Sequence, residues 1–261
     1  MKEIYLSVII PAYNEEKRIS KTLLDIDQYL SQKDYSYEIV VVSDGSKDKT
    51  SEVVNKFANI IKHLRLIDNK ENHGKGWVVR QGMLDVKGVV RLFMDADNAT
   101  TIDHFEKMIP LFEQGYQVII GSRDSKDVAG AKQEVSQSFL KRLLGNLGNL
   151  LIQLLAVSGI WDTQCGFKAF SAKAAQRIFG KCKIDRWGFD IESLALARKF
   201  GYKIGIIPVK WINDPNSHVS WKGYLNTFRE LFKIKWNLIR NKYDPVVEFR
   251  QVAKGDKKTG H

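Results

Sequence analysis

Cysteine is scarce in this sequence, and no stretch of it makes a convincing membrane span. Two cysteines in 261 residues, Cys165 and Cys182, are too few for a disulfide framework or a four-cysteine zinc site. The best candidate span, Leu143–Trp161, has no charge but is interrupted by Gly, Asn, Gln and Ser. The apolar segment Ile4–Ile10 is too short for a signal peptide. We therefore expect a soluble or peripheral protein in the cytoplasm, where thiols stay reduced.

Acidic residues are also in deficit. The sequence has 41 Lys and Arg against 30 Asp and Glu, a net charge of +11 and a pI near 9.5. Such a surplus indicates a polyanionic partner: nucleic acid, an anionic membrane surface or a phosphorylated substrate. With 44% hydrophobic and 27% charged residues, the composition is that of a globular protein and excludes collagen-like, coiled-coil and disordered chains.

Short β-rich segments alternate with helical ones over the first 122 residues. The predicted strands are Ile4–Ile10, Tyr37–Ser43, Leu64–Asp68, Val89–Met94 and Val118–Ile120. The predicted helices between them are Glu15–Leu30, Thr50–Ile61, Gly76–Val86 and Ile102–Glu113. This alternation predicts an α/β fold, a mainly parallel, Rossmann-like sheet flanked by helices. Because ligands bind such sheets at the carboxyl ends of the strands, polar residues that directly follow a strand are the functional candidates.

The second half of the chain is predicted to be less regular. Arg123–Ser138 has the composition of a loop, Phe139–Ile160 that of an inserted amphipathic helix or helix pair, and Trp161–Phe170 that of turns. Further elements are predicted at Ala172–Phe179, Phe189–Phe200, Lys203–Pro208 and Trp221–Tyr243, of which the third is a strand. The predicted divisions are an α/β domain over 1–210, a C-terminal amphipathic helical segment over 211–243 and a basic tail over 244–261.

Polar residues follow the first two predicted strands. Tyr13 offers a surface for a base or ribose, and Glu15 offers an acceptor for a hydroxyl group, although a glutamate also suits the first turn of a helix. Asp44 directly follows the second predicted strand, where its carboxylate can accept hydrogen bonds from a nucleobase or ribose. Asp44-Gly45 is equally a turn signal. Each motif alone therefore leaves a purely structural interpretation open.

Three more candidates carry charge. Lys75, between two glycines at the start of a predicted helix, is a weak phosphate cradle; its spacing is not that of a Walker motif. Arg123 follows the fifth strand and offers a guanidinium fork for a phosphate. Asp190 begins a predicted helix, where it also complements the helix dipole.

The sharpest motif is the pair Asp95 and Asp97, directly after the fourth strand. Two carboxylates one residue apart repel each other unless a cation or a capped helix compensates. Oxygen ligands with open positions suit Mg²⁺ or Mn²⁺ bound to a diphosphate, and no His or Cys stands beside them to favour zinc. The alternative is that Asp97 or Asn98 caps the helix predicted from Thr101.

Taken together and in order, these motifs resemble glycosyltransferase family 2 with the GT-A fold. The matching stretches lie within residues 3–240 and are VIIPAYNEE, VVSDGSKDKT, NHGKG, the DAD of Asp95–Asp97, and GSR ending at Arg123. DTQCGFKAF and RWGFDIE look like the branch of dolichyl-phosphate β-glucosyltransferases and related polyprenyl-phosphate glycosyltransferases. Ala99 stands where the mannosyl branch usually has Gln, which favours the glucosyl branch, whereas Asn98 replaces the glycine usual in that branch.

This resemblance implies a metal-dependent hexosyltransferase that uses a nucleotide sugar, UDP-glucose. The residues implied to bind the nucleotide sugar are Pro11, Tyr13, Glu15, Asp44, Lys75 and Asp95. Asp95 and Asp97 would hold the Mg²⁺ or Mn²⁺ that bridges the diphosphate, and Asp97 would thereby serve catalysis.

The implied acceptor is a polyprenyl phosphate of the dolichyl type. A phosphate monoester is largely dianionic at neutral pH, so the transfer needs no strong general base. Arg123 would hold this phosphate, with Lys141 and Arg142 as further candidates, and direct displacement would give a β-linked lipid phosphosugar from an α-linked donor. Asp190 would position the sugar or the acceptor.

The predicted C-terminal helix carries an aromatic stripe: Trp221, Leu225, Phe228, Phe232, Trp236, Ile239 and Tyr243. Lys and Arg residues flank it, and residues 216–261 hold ten basic residues against four acidic ones. Such a helix lies at a membrane surface with its cations on anionic headgroups, or else it buries the stripe in the protein core. We expect the former, with peripheral attachment at the cytoplasmic face.

Other functions stay open at this level. A transferase acting on a soluble saccharide or protein would need Asp190 as an essential base. A nucleotide-sugar-binding module without turnover would have no need of Arg123 beside the acid pair. Nucleic-acid binding rests on charge alone, since no recognition motif is present, and we expect none.

Overall fold

The computed structural model describes residues 3–133, 148–211 and 221–244, and its centre is a seven-stranded sheet. In spatial order the strands are β3 (Leu64–Asn69), β2 (Tyr37–Asp44), β1 (Leu6–Ala12), β4 (Val90–Met94), β7 (Phe167–Ser171), β5 (Val118–Ser122) and β8 (Ile204–Pro208). All neighbours are parallel except β7, which runs antiparallel to β4 and β5. A separate parallel pair joins β6 (Lys132–Gln133) to β9 (Lys210–Trp211). The predicted α/β fold with a mainly parallel sheet is confirmed.

Helices cover both faces of this sheet because its strands are apolar on both sides. Ile9 and Val40 join the core on one face, and their neighbours Val8 and Ile39 join the core on the other. The first face is covered by α3 (Lys75–Asp85), α5 (148–155), α6 (Ala172–Phe179), α7 (Phe189–Lys199) and α8 (Trp221–Ile239). The second is covered by α1 (Ile19–Leu30), α2 (Thr50–Ala58), a 3-10 helix (Ile102–Lys107) and α4 (Ile109–Glu113).

The prediction of turns over Trp161–Phe170 is wrong at its end, because Phe167–Ser171 forms β7, an inner strand between β4 and β5. Phe167, Ala169 and Phe170 are buried, but the strand contains Lys168, whose charge breaks the apolar run expected of a buried strand. A central strand tolerates this lysine because Asp190 pairs with it inside the protein.

The prediction that a helix begins at Glu15 is also wrong, since α1 begins at Ile19. The intervening loop is fixed by the loop that follows β2. Asn14 has a positive φ of 56°, and its side-chain Oδ1 accepts a hydrogen bond from Lys47 N at 2.8 Å. Glu15 N donates to Thr50 Oγ1 at 2.7 Å. These contacts with a neighbouring loop replace the first helical turn that the local sequence favours. The predicted helix Ile102–Glu113 is likewise two elements, the 3-10 helix and α4.

Helix α8 is shorter than predicted and presents part of its aromatic stripe outward. It ends at Ile239, and Tyr243, which was placed on the stripe, is fully buried instead, with its hydroxyl donating to Glu192 Oε1 at 2.6 Å. Leu231 and Ile234 are buried against the core. The opposite face exposes Phe232, Trp236 and Ile239, whose exposed fractions are 59%, 51% and 65%. The core-facing alternative for the stripe is therefore wrong for these three residues.

Helix α5, like α8, exposes apolar side chains. Its Leu150 and Leu154 are exposed, and Gly148 lies close to the ring of Phe228 in α8. Of the predicted helix Phe139–Ile160, residues 139–147 lie outside the described residues, as does the tail from residue 245, and the prediction is wrong for 156–160, which form a turn after α5. Among the residues that the structure describes, no helix is long and apolar enough to cross a membrane.

Candidate active site

Parallel strands place the predicted polar residues along one edge of the sheet. Asp44 is the last residue of β2, Asp95 directly follows β4, and Arg123 directly follows β5. Tyr13 lies just beyond β1 and is 41% exposed. Pro11, by contrast, lies within β1 and pairs with Val42, so the strand continues past the predicted end at Ile10.

Asp95 sits over a glycine that the sequence did not mark as important. Its backbone N donates to Gly166 O at 3.1 Å. A Cβ added at Gly166 would lie only 2.0 Å from Asp95 Oδ2, so any side chain there would displace the carboxylate. Gly166 thus positions the first acid of the pair, and it belongs to the segment that was predicted as turns.

Asp97 lies near two other carboxylates, those of Asp95 and Glu15. Burial raises the pKa of Asp97, and the charge of Asp95 raises it further, against a hydrogen bond from Ala99 N to Asp97 Oδ1 at 3.0 Å. Burial likewise raises the pKa of Glu15; hydrogen bonding and charge from Arg18 oppose this, and Asp97 and Asp95 add to it. A cation bound between Asp95 and Asp97 would relieve this repulsion.

The donor set fits a divalent ion that completes its coordination with substrate and water. In the three ranges that the structure describes, no group of three or more His, Cys, Asp or Glu residues converges to hold a metal alone. Two carboxylates with open positions are the chemistry expected for Mg²⁺ or Mn²⁺ on a diphosphate. The side chain of Asp95 is already partnered by a cation, the ammonium group of Lys75 at 2.5 Å.

Asp44 positions the loop that carries Lys75. Its buried carboxylate accepts hydrogen bonds from His73 N at 2.7 Å and from Gly74 N at 2.9 Å. Gly74 has φ of 108° and precedes the first residue of α3, which is Lys75. The sequence indicated Asp44 for its place at a strand end, and the structure adds this contact with the next motif.

Lys75 lies between the acid pair and an aromatic ring. Its Nζ is 5.3 Å from the ring centroid of Trp187, a cation–π distance. Burial lowers the pKa of Lys75, but the nearby charges of Asp95, Asp190 and Asp97 outweigh burial and raise it overall. The ammonium group therefore stays protonated at neutral pH.

Arg123 is held in a two-point pair that the sequence did not reveal. Its Nε and Nη2 each donate to the carboxylate of Asp162 at 2.8 Å, and its backbone N donates to the same group at 2.8 Å. Burial raises the pKa of Asp162, but Arg123 outweighs burial and lowers it. Trp211 lies 5.4 Å from the guanidinium group. Arg123 is thereby fixed at the sheet edge with part of its side chain exposed.

Asp190 is paired with the buried lysine of β7. The Lys168 Nζ donates to Asp190 Oδ1 and to Cys165 O, the latter at 2.6 Å. Both side chains are buried. Burial raises the pKa of Asp190, and the cations Lys168 and Lys75 oppose this rise. A carboxylate that is already committed to an ammonium group is suited to hold a position more than to take up a proton.

Comparison with known proteins decides the family. A model described as Glycosyl transferase family 2 matches residues 7–179, which include the strand-end residues from β1 to β7. The chain belongs to glycosyltransferase family 2. Its α/β sheet is accordingly a GT-A fold, and it is an enzyme, a glycosyltransferase.

Relatives of this glycosyltransferase carry a common name. It is 37% identical over 239 residues to dolichyl-phosphate beta-glucosyltransferase ALG5A of Trichomonas vaginalis, covering 88% of this chain and 73% of that one. It is 38% identical over 248 residues to the dolichyl-phosphate beta-glucosyltransferase of Dictyostelium discoideum, covering 90% and 75%. The resemblance that the motifs indicated is confirmed.

A solved structure shares the fold. Glucosyl-3-phosphoglycerate synthase from Mycobacterium tuberculosis, crystallised with Mn²⁺, UDP-glucose and phosphoglyceric acid, has a TM-score of 0.64 and 16% sequence identity. The similarity covers 89% of this chain and 80% of that one. At this identity the match shows a common fold.

Several residues of this glycosyltransferase's candidate site were not predicted from the sequence, and two residues that were predicted lie outside the described part of the chain. Gly166, Asp162 and Lys168 all come from the segment between 161 and 171, where the charge of Lys168 breaks the apolar run expected of a buried strand; the motif DTQCGFKAF was matched to a branch of the family, but no role was predicted for these three residues. Lys141 and Arg142, the further candidates for the acceptor phosphate, lie outside the described residues.

Proposed function

We propose that this glycosyltransferase transfers glucose from UDP-glucose to a dolichyl-type polyprenyl phosphate, with inversion at the anomeric carbon. The observation that carries the proposal is the meeting of the Asp95–Asp97 pair with Lys75 and the nearby Arg123 at one sheet edge. It occurs in a chain 36% to 38% identical to relatives named dolichyl-phosphate beta-glucosyltransferase.

The donor would lie across the carboxyl ends of β1, β2 and β4. Tyr13 is exposed there as a surface for the base or ribose, and Glu15 offers an acceptor beside it. Pro11 and Asp44 shape the same end of the sheet, Asp44 by fixing the loop before Lys75.

The divalent ion, Mg²⁺ or Mn²⁺, would be held by Asp95 and Asp97. Bound there, it would neutralise the charge that develops on the leaving diphosphate. Asp97 contributes because its carboxylate is otherwise costly to keep ionised beside Asp95, so a cation bound between them is strongly favoured.

The acceptor phosphate would be held by Arg123. A guanidinium group has five N–H donors, and the contacts with Asp162 use two of them, so donors are left for a phosphate. Because the phosphate is largely dianionic at neutral pH, its oxygen attacks the anomeric carbon without a strong base. Asp190, tied to Lys168, would position the reactants. Lys141 and Arg142 remain candidates for the same phosphate.

A lipid acceptor requires contact with a membrane, and the outer face of α8 supports it. Phe232, Trp236 and Ile239 are exposed on the face opposite the buried Leu231 and Ile234. The basic residues Arg229 and Lys233 are exposed on the same helix, and Arg240, directly after its last residue, is exposed as well. We propose that this face, together with Leu150 and Leu154 of α5, lies on an anionic lipid bilayer, with apolar side chains inserted and cations at the headgroups. The chain has two buried free cysteines, as is typical of proteins in a reducing compartment. This supports a location at the cytoplasmic face of the membrane.

Transfer of labelled glucose to a short polyprenyl phosphate tests this function. With Mn²⁺ and UDP-[¹⁴C]glucose, label should enter the organic phase only when the prenyl acceptor carries its phosphate. Asp97→Asn should abolish transfer, whereas Asp34→Asn, the same change at an exposed position, should leave it intact.

The competing functions give different results in the same assay. A soluble saccharide acceptor would receive label in the aqueous phase, and Asp190→Asn would then cause a large loss of rate with unchanged donor binding. A binding module would release no UDP under any condition.

A further inference from the structure

Lys75 occupies the position of a cation on Asp95. Its Nζ lies 2.5 Å from Asp95 Oδ1, and the two side chains are 20% and 33% exposed, so ligands from solvent can reach both. We infer that Lys75 is a switchable cation: its ammonium group holds Asp95 while no metal is bound, and it moves to the nucleotide diphosphate once Asp95 is engaged by the divalent ion. This inference rests on the proposed function.

The backbone of Lys75 is fixed, so only its side chain can make such a movement. Gly74 is held by Asp44, and a Cβ at Gly74 would lie 2.5 Å from Asp185 O. Trp77 N donates to Asp185 O at 3.0 Å, which anchors the first turn of α3. The flexible four-carbon stem of Lys75 therefore swings from a rigid base.

The surroundings offer the ammonium group attractive partners besides Asp95. The Trp187 ring lies 5.3 Å from Nζ and attracts a cation through its π-face. Lys75 is also the first residue of α3, where backbone N–H groups point toward an anion at the helix N-terminus. A diphosphate bound to the ion at Asp95 and Asp97 would lie within reach of this lysine.

The charges of Lys75, the divalent ion and the diphosphate predict opposite changes in two binding affinities. Without nucleotide, Lys75 and a divalent ion compete for the Asp95 carboxylate and repel each other. With nucleotide, both act on the same diphosphate. Removal of the lysine charge should therefore strengthen the binding of metal alone and weaken the binding of nucleotide, whereas local damage would weaken both.

Lys75→Met tests the inference in the 261-residue chain without substrate turnover. We expect free-Mn²⁺ measurements by electron paramagnetic resonance to show about fivefold tighter binding of Mn²⁺ alone. Calorimetry with UDP in saturating Mn²⁺ should show about fivefold weaker binding of UDP. If the Met variant folds poorly, Lys75→Gln, which keeps a polar side chain, should show both changes in affinity.

Two controls locate the effect. Lys87→Met makes the same charge change at an exposed residue just beyond the other end of α3 and should alter neither affinity. In an Asp95→Asn background, Lys75→Met should no longer tighten Mn²⁺ binding. Unchanged or weaker Mn²⁺ binding in both Lys75 variants, or unchanged UDP binding, would overturn the inference. Because Mn²⁺ binding is measured without sugar or acceptor, this outcome is independent of whether glucose reaches a prenyl phosphate.

Discussion

Lys168 lies in β7, an inner strand of the sheet between β4 and β5, with its ammonium group buried against Asp190. Removal of one member of a buried ion pair leaves the other charge without compensation, at a cost of about 3–5 kcal/mol. We expect Lys168→Met to lower the free energy of unfolding by about 3 kcal/mol, measured by urea denaturation.

The double variant separates charge from packing. Lys168→Met with Asp190→Asn removes both charges and should recover much of the stability that Lys168→Met loses. If the single and double variants were equally unstable, lost packing of the lysine stem would account for the effect and the role of the pair would be wrong.

His104 gives the fold a dependence on pH. Its Nδ1 donates to Thr101 O at 3.1 Å, since a carbonyl only accepts, and its Nε2 therefore accepts from Lys210 N, also at 3.1 Å. Burial lowers the pKa of His104; Asp103 opposes this, while Lys107 and Lys210 add to it. The folded state thus favours the neutral ring.

The sign of the effect follows from this lowered pKa. Stability from neutral His104 is fully present above its ordinary pKa of 6.5 and is lost as the pH falls below that value. We expect the free energy of unfolding to fall more steeply between pH 7 and pH 5 in the wild type than in His104→Asn. Parallel pH profiles for the two proteins would contradict this.

At the scale of residues, the sequence predicted which candidate residues lie at the ends of strands. The structure places Asp95 and Arg123 directly after their strands, with Asp97 two residues beyond Asp95. Their partners could not be found, because Asp162 and Gly166 act through contacts between segments distant in the chain. A carboxylate that pairs with an arginine 39 residues away leaves no local pattern.

At the scale of elements, α7 and α8 are joined by a carboxylate. Glu230 Oε2 of α8 accepts a hydrogen bond from Gly188 N at 2.7 Å, just before the first residue of α7. A Cβ at Gly188 would lie 2.9 Å from Glu230 Cβ, so the two helices approach closely here. The link connects the helix with the exposed aromatic face to the turn that carries Trp187 and leads to Asp190.

Loss of this link should loosen the start of α7. We expect Glu230→Ala to speed hydrogen exchange of the amides of residues 184–190 and to lower stability by about 1–2 kcal/mol. Glu230→Gln retains an acceptor oxygen and should keep most of the protection. Equal exchange in the Ala variant and the wild type would show that the hydrogen bond does not hold the turn.

The periodicity of the sequence predicted α8 as a helix but not the location of its last aromatic residue. Tyr243 falls on the stripe when the helix is extended, yet the chain leaves the helix after Ile239 and Asn241 takes a φ of 53°. Tyr243 turns into the core because its hydroxyl group makes a buried hydrogen bond with Glu192. This partner lies 51 residues earlier, so no local sequence pattern predicts the contact.

At the scale of the whole molecule, the exposed aromatic face of α8 lies in the part of the sequence that carries much of the basic surplus. Ten of the basic residues lie in 216–261 against four acidic ones. Leu150 and Leu154 extend the apolar area from the neighbouring α5. An apolar face rimmed by cations is the composition of a helix at an anionic bilayer.

Vesicle binding tests this surface. We expect Phe232→Ser with Trp236→Ser to weaken sedimentation with vesicles containing anionic lipid by about tenfold or more, because both side chains lose apolar burial. Ile60→Ser, at an exposed residue after α2 on the other face of the sheet, should leave binding unchanged. Equal binding of the double variant and the wild type would exclude α8 as the docking surface.

The chemistry of the product tests the proposed function most directly. The chain would be incubated with Mn²⁺, a short polyprenyl phosphate and a panel of UDP- and GDP-sugars, and the lipid product analysed by mass spectrometry and NMR. We expect UDP-glucose to give a β-linked glucosyl phosphoprenol, because a phosphate oxygen positioned by Arg123 displaces UDP from the opposite face of the sugar. An α-linked product, or no lipid-linked product with any donor, would contradict this function.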